Sequence, residues 1–169
     1  MPVPLILFRH WRLMTANQAD QPVGIRYLWL ISMTTYKKLF QSDQYAKLSG
    51  IEIVSVTAGH AAARMPVQPC HLNALGLVQG GAIFTLADLA FGAACNSRGV
   101  VAVAVNVSIS FMKAVTTGTL TATARELTCN PKLGTYTVDI TDEQGNLVAV
   151  FQGLAYRKKQ THAATVDPG

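Results

Sequence analysis

The hydrophobic and polar positions change period once along the chain, and the change marks its main elements. Residues 82–95 are a run of Ala, Leu, Ile and Phe with apolar side chains on every face, the pattern of a helix buried all round. Beyond it the period drops to two. Val101, Val103, Val105, Val107, Ile109 and Phe111 alternate with Ala102, Ala104, Asn106, Ser108 and Ser110, which predicts a long strand with one bulky and one small-residue face. Residues 119–127 set Leu120, Ala122 and Ala124 against threonines, Asn130-Pro131 marks a turn, and Tyr136, Val138 and Ile140 alternate in another strand. The DEQGN run at 142–146 is a hairpin signal, and residues 147–156 form the last strand. Everything after Arg157 reads as a polar tail.

Upstream of the helix, residues 35–48 place Tyr36, Leu39, Phe40 and Leu48 near helical spacing, with Ser49-Gly50 to close the helix. Residues 51–56 and 60–67 alternate as two short strands about Ala58-Gly59, and residues 68–78 contain the Pro, Asn and Gly of a loop. The order predicts an α+β domain in which an antiparallel meander wraps one long central helix. A single sheet covers only part of such a helix. The uncovered remainder predicts self-association, with a closed dimer as the simplest form. Residues 1–32 hold no period and are broken by Pro2, Pro4, Pro22 and Gly24. They are expected to be a poorly ordered extension or a mis-assigned start, with translation beginning at Met33; a membrane-surface helix is the alternative. The domain is expected over 33–158, with a tail at 159–169.

Composition narrows the partners. The chain is 50% hydrophobic and 14% charged, which fits one compact fold and argues against disorder. Its 14 Lys and Arg exceed its 9 Asp and Glu but are scattered. The run Arg157-Lys158-Lys159 has no interleaved aromatics, so a polyanionic small molecule fits better than nucleic acid. Cys70, Cys95 and Cys129 form no CxxC pair. A reducing, cytoplasmic compartment is therefore expected, with no zinc, other metal or cofactor. No apolar run is long enough to insert across a bilayer.

Two features are out of place in an inert buried helix. Asp88 puts one charge in the middle of the apolar run, where an unpaired carboxylate is costly or takes a raised pKa. That suits a nucleophile or general base; a structural carboxylate paired with a buried Arg is the plainer reading. Gly80-Gly81 opens the helix. The pair is either a tight joint or a place where a ligand approaches the unpaired first amides at the positive end of the dipole, as a developing oxyanion would. Asp88 lies eight residues beyond Gly80, roughly 12 Å along the axis. One carbonyl cannot touch both in one chain, so a shared mechanism requires two subunits with their helices antiparallel.

The run N-x-x-G-x-x-[H/Q]-G-G, an Asp seven residues on and then C-N-S-R resembles the PaaI-type (phenylacetic-acid-degradation) acyl-CoA thioesterases of the hotdog fold. Here it reads Asn73, Gly76, Gln79, Gly80, Gly81, Asp88 and Cys95-Asn96-Ser97-Arg98. SISFMKAVTTGTLTATARE, starting at Ser108, is similar to a second family segment. The resemblance spans residues 35–157. It implies hydrolysis of aryl- or fatty-acyl-CoA thioesters at a dimer interface, within a tetramer. Asp88 matches the attacking or water-activating carboxylate. A Gly80 or Gly81 amide of the partner subunit matches the group that polarises the carbonyl. Asn73 matches the residue that orients water or thioester, although a turn asparagine is its plainer reading.

Gln79 stands where the family most often has His, and glutamine can donate a hydrogen bond but cannot shuttle a proton. Lys113 replaces an Arg and would meet CoA phosphates as a point charge. Asn96, Ser97 and Arg98 are the further substrate-binding candidates, with Lys132 a weaker phosphate candidate. His71 in the loop is expected to be exposed, and Cys95 to be inert core. A non-catalytic acyl-CoA binding or regulatory protein is the principal alternative. An acyl-thioester dehydratase is disfavoured because no His lies on the central helix or at its start.

Overall fold

The computed structural model describes residue 40 and residues 42–161. The expected extension over 1–32, the start at Met33 and the tail from 162 onward lie outside the described residues. Short helix α1 spans Gln44–Leu48, within the expected 35–48, of which 35–39 and 41 lie outside the described set. Asp43 begins it: its carboxylate accepts from the Ala46 amide at 2.9 Å, an N-cap bond. Strands β1 (Glu52–Thr57) and β2 (His60–Pro66) follow, then a 3-10 turn at Pro69–His71 and the central helix α2, Gly80–Asn96. Four strands complete the fold: β3 (Val100–Phe111), β4 (Thr119–Cys129), β5 (Leu133–Thr141) and β6 (Leu147–Thr161). Among the described residues no helix is long and apolar enough to cross a membrane.

The six strands form one antiparallel sheet in the order β1-β2-β4-β5-β6-β3. The meander is therefore β4-β5-β6 alone. β3 does not pair with β4 as tight turns would require; it lies at the far edge against β6, while β4 pairs with β2. The reason is the connection after Phe111. It is pinned across the end of the sheet by bonds from the Met112 and Lys113 amides to the Val148 carbonyl, and by Val78 to Val115 and Val67 to Gly118. β6 also outruns its sequence pattern. Val100 pairs with Thr161 and Ala102 with Arg157, so the strand continues to Thr161, its polar residues 158–160 taken up by a register shift between Val100 and Ala102.

Small residues let the helix approach the sheet. Ala61, Ala63, Ala122 and Ala124 are buried and pair across β2 and β4. Beside them Phe91 of α2 meets Tyr136 at 5.5 Å and Phe151 at 5.6 Å between ring centroids. A Cβ on Gly153 would come within 2.7 Å of the Phe91 ring, so glycine is required there by close approach.

Two burial expectations are corrected. α2 is not enclosed on every face: Gly81 and Asp88 are exposed and Thr85 and Gly92 half-buried. At spacings of three and four these residues share one face, the one turned away from the sheet. The bulky face of β3 is also largely uncovered, with Val103, Val105 and Phe111 exposed. A bulge between Ala104 and Asn106 and the position at the sheet edge account for this.

Candidate active site

The loop before α2 is built by its own polar groups. The Asn73 side-chain oxygen accepts from the amides of Leu75 and Leu77 at 2.9 and 3.1 Å, and Gly76 takes a left-handed φ of 72° that only glycine adopts freely. The plainer reading of Asn73 thus holds for its oxygen, while its amide nitrogen has no partner among the described residues. His71 differs from expectation. It is 5% exposed, not solvated. Its Nδ1 accepts from the Gln68 amide at 3.1 Å, and its carbonyl accepts from the Gln79 amide at 2.8 Å. That leaves its proton on Nε2, a buried atom with no partner among the described residues.

Gln79 is the N-cap of α2, and its side-chain oxygen accepts from the Gly81 amide. The two glycines are thereby distinguished. The Gly81 N–H is occupied, and the Gly80 N–H has no acceptor among the described residues. A Cβ on Gly80 would lie 3.1 Å from the Phe111 ring, so the free amide is flanked by an exposed aromatic. Gln79 retains its NH2 group for donation outward.

Asp88 lies two turns further along the exposed face. No described residue bonds to it or pairs with it, so among the described residues it has no cationic mate. Burial of its carboxyl raises its pKa, and the negative charge of Asp43 raises it further. Within one chain the structure does not bring Asp88 and Gly80 together. Their separation along one helix remains roughly 12 Å.

The other end of α2 has a different character. The Asn96 amide donates to the Gly92 and Ala102 carbonyls at 2.9 and 3.0 Å, and its oxygen accepts from the Ala102 amide at 2.9 Å. The Ser97 hydroxyl donates to the Ala94 carbonyl and accepts from the Gly59 amide, each at 2.7 Å. Arg98 grips Glu126 through two bonds of 3.0 and 2.9 Å, and the Tyr136 hydroxyl donates to the same carboxylate at 3.0 Å. Burial pushes Glu126 up, but Arg98 and Tyr136 outweigh it and hold it below its ordinary value. Asn96, Ser97 and Arg98 thus form a latch that ties α2 to β3, to the β1-β2 turn and to β4, engaging the Asn96 amide, the Ser97 hydroxyl and two of the Arg98 nitrogens within the chain. Cys95 is buried, and burial pushes its thiol up to about 12, so it is inert as expected.

Lys113 lies at the Gly80 end, two residues past Phe111, and bonds Asp142 at 2.5 Å. It is half-exposed and shares its charge with one carboxylate. Lys132 is exposed and its carbonyl accepts from the Arg157 amide. One residue of interest, Asp43, is not singled out by the sequence, and one, His71, is singled out with the wrong exposure. Asp43 carries a helix-cap signature there, but nothing in the sequence places it beside Asp88. His71 carries no signal that separates a buried loop imidazole from a solvated one.

Comparison with known proteins bears on this geometry. The thioesterase superfamily model matches residues 75–149. The acyl-coenzyme A thioesterase PaaI of Escherichia coli K12 is 39% identical over 120 residues, 70% of this chain and 86% of that one. Its solved structure superposes with a TM-score of 0.72, covering 76% of this chain and 98% of that one. Human acyl-coenzyme A thioesterase 13 is 32% identical over 67% of this chain and 84% of its own. A Streptococcus pneumoniae thioesterase protein solved with coenzyme A is 27% identical, with a TM-score of 0.68 over 73% of this chain and 98% of that one.

Proposed function

This chain belongs to the thioesterase superfamily, among the PaaI-like acyl-CoA thioesterases of hotdog fold, and from that premise we propose how its residues hydrolyse an aryl- or fatty-acyl-CoA. Asp88 of one protomer and the Gly80 amide of a second act on one thioester carbonyl. The observation that carries this reading is the state of Asp88, an unpaired carboxylate with raised proton affinity on the uncovered face of the helix.

In the proposed reaction the ionised Asp88 either takes a proton from water as that water adds to the carbonyl, or adds to the carbonyl itself. The carbonyl oxygen gains the negative charge and is held by the Gly80 N–H at the positive end of α2. The C–S bond then breaks: where Asp88 acted as base, the proton it took from water passes to the departing CoA thiolate; where Asp88 had added, CoA leaves as the thiolate, and water then hydrolyses the mixed anhydride, restoring the Asp88 carboxylate and releasing the acid, whose proton balances the thiolate. Gln79 fixes the helix start and offers one further hydrogen-bond donor.

The second subunit follows from the open edges. β3 presents a 12-residue strand paired on one side only, and exposed edges of that length invite pairing. Two β3 edges joined about a twofold axis would set the two α2 helices antiparallel, bringing Gly80 of one chain toward Asp88 of the other. A cytoplasmic setting suits both the CoA substrate and the three free cysteines.

Subunit complementation tests the composite site. Asp88→Asn and Gly80→Pro each destroy one half, the proline removing the amide while remaining acceptable at the first helical position after an extended Gln79. Denatured and refolded together, the two inactive variants should recover about a quarter of wild-type sites, as a twofold dimer with shared sites requires. Recovery of no activity from well-folded mixed dimers would overturn the shared site.

A further inference from the structure

We propose that Asp43 is a positioning residue for Asp88, its fixed negative charge beside the central helix strengthening Asp88 as a base. The inference rests on the reading of Asp88 given above and extends the reactive machinery to α1, which carries no motif residue. Three observations place the two carboxylates in one neighbourhood. Asp43 and Leu89, the residue after Asp88, line the same groove of about 560 Å³, together with Phe40, Ala46, Ile51 and Ile53. The Phe40 ring lies 3.7 Å from the position of a Cβ on Gly92, so the chain leading into α1 covers the helix one turn beyond Asp88. Finally, Asp43 cannot swing away freely, because its oxygen is bound to the Ala46 amide as the helix cap.

The direction of the effect is set by the charges around Asp88. Lys47 of α1 and Glu52 of β1 line the same groove, and Glu52 is held by Arg64 of β2 at 3.0 Å. Cys95 on α2 is a buried thiol. β4, β5 and β6 turn Ala, Leu, Val, Ile and Phe toward the helix, and the Arg98–Glu126–Tyr136 set sits at its far end. The negative charge of Asp43 acts on Asp88 in the same sense as burial. A stronger base holds its proton to higher pH and pulls harder on water when ionised.

Asp43→Asn is the test, because asparagine caps a helix as well as aspartate and removes only the charge. In the variant the acid limb of kcat/KM for an acyl-CoA panel should move to lower pH. The carboxyl carbon of Asp88, followed by NMR, should titrate at lower pH in the free protein, with the melting temperature retained. Added salt should move the wild type toward the variant and leave the variant in place. An Asp88 titration unchanged by the substitution overturns the inference. A titration that moves while the rate profile does not leaves Asp43 acting on Asp88 and overturns instead the reading of Asp88 as the reaction's base.

Discussion

Both ends of α2 carry family motif residues, yet they have opposite bonding states. At the C-terminal end Asn96, Ser97 and Arg98 are engaged with backbone or with Glu126. At the N-terminal end the Gly80 amide, the Asn73 amide group and the buried His71 Nε2 have no partner among the described residues. A motif residue whose hydrogen bonds are all made within its own chain holds the fold. One that is left incomplete is available to something else. Asp88 between them belongs with the incomplete end, since it combines partial desolvation with the absence of a paired cation among the described residues.

The largest expected effect is at Asp88. Replacement by Asn should lower turnover by about 10² to 10⁴-fold, as loss of a base does; undiminished thiol release would place the chemistry elsewhere. The same variant should be more stable than wild type at neutral pH. Because the folded Asp88 binds its proton more tightly than the unfolded chain does, stability falls as pH rises from the ordinary carboxylate value to the raised one. Thermal melts across that window should converge at low pH. Glu126 runs the other way: its stabilising contribution is present above the ordinary carboxylate range and lost as pH falls through its lowered value.

Next in size is Gly80→Pro, which should reduce kcat by about 10² to 10³-fold, as removal of one oxyanion donor does, with the helix retained by circular dichroism. Asn96→Ala addresses the opposite end. It should destabilise by about 1 to 3 kcal/mol through unsatisfied groups and leave kcat/KM of the folded fraction unchanged. A change in KM without a change in melting temperature would erase the distinction between the two ends. Lys113→Ala is the mildest. Its ion pair with Asp142 joins a half-exposed lysine to a carboxylate that Asn146 also holds, so stability should hold nearly unchanged while KM for acyl-CoA rises modestly and loses salt dependence.

Much of the fold is legible in the sequence, because period and turn chemistry are local. The strands, the long helix and the hairpin at 142–146 fall close to where alternation and Gly placement predict them. What is not local is missed. The move of β3 to the far edge depends on bonds between Val78 and Val115 and between Met112 and Val148 that no spacing encodes. Enclosure of α2 on every face fails as an expectation for the same reason, since an apolar run on a helix does not say which of its faces the sheet covers. The site is legible in its residue types and opaque in their partners: Asn96 and Gly80 look equally eligible in a motif until their hydrogen bonds are known.

Gly153 gives one residue on the sheet leverage over the opposite side of the helix. Its missing side chain is a notch in β6 that receives the edge of Phe91, and Phe91 is rooted in the helix only three residues after Asp88. A methyl group introduced into the notch would come within 2.7 Å of that ring, so the ring must move and press on the helix that carries it. With Asp88 as the proposed reactive group, its setting is adjustable from behind, through the sheet, and variation at Gly153 is expected to alter rate before it causes unfolding.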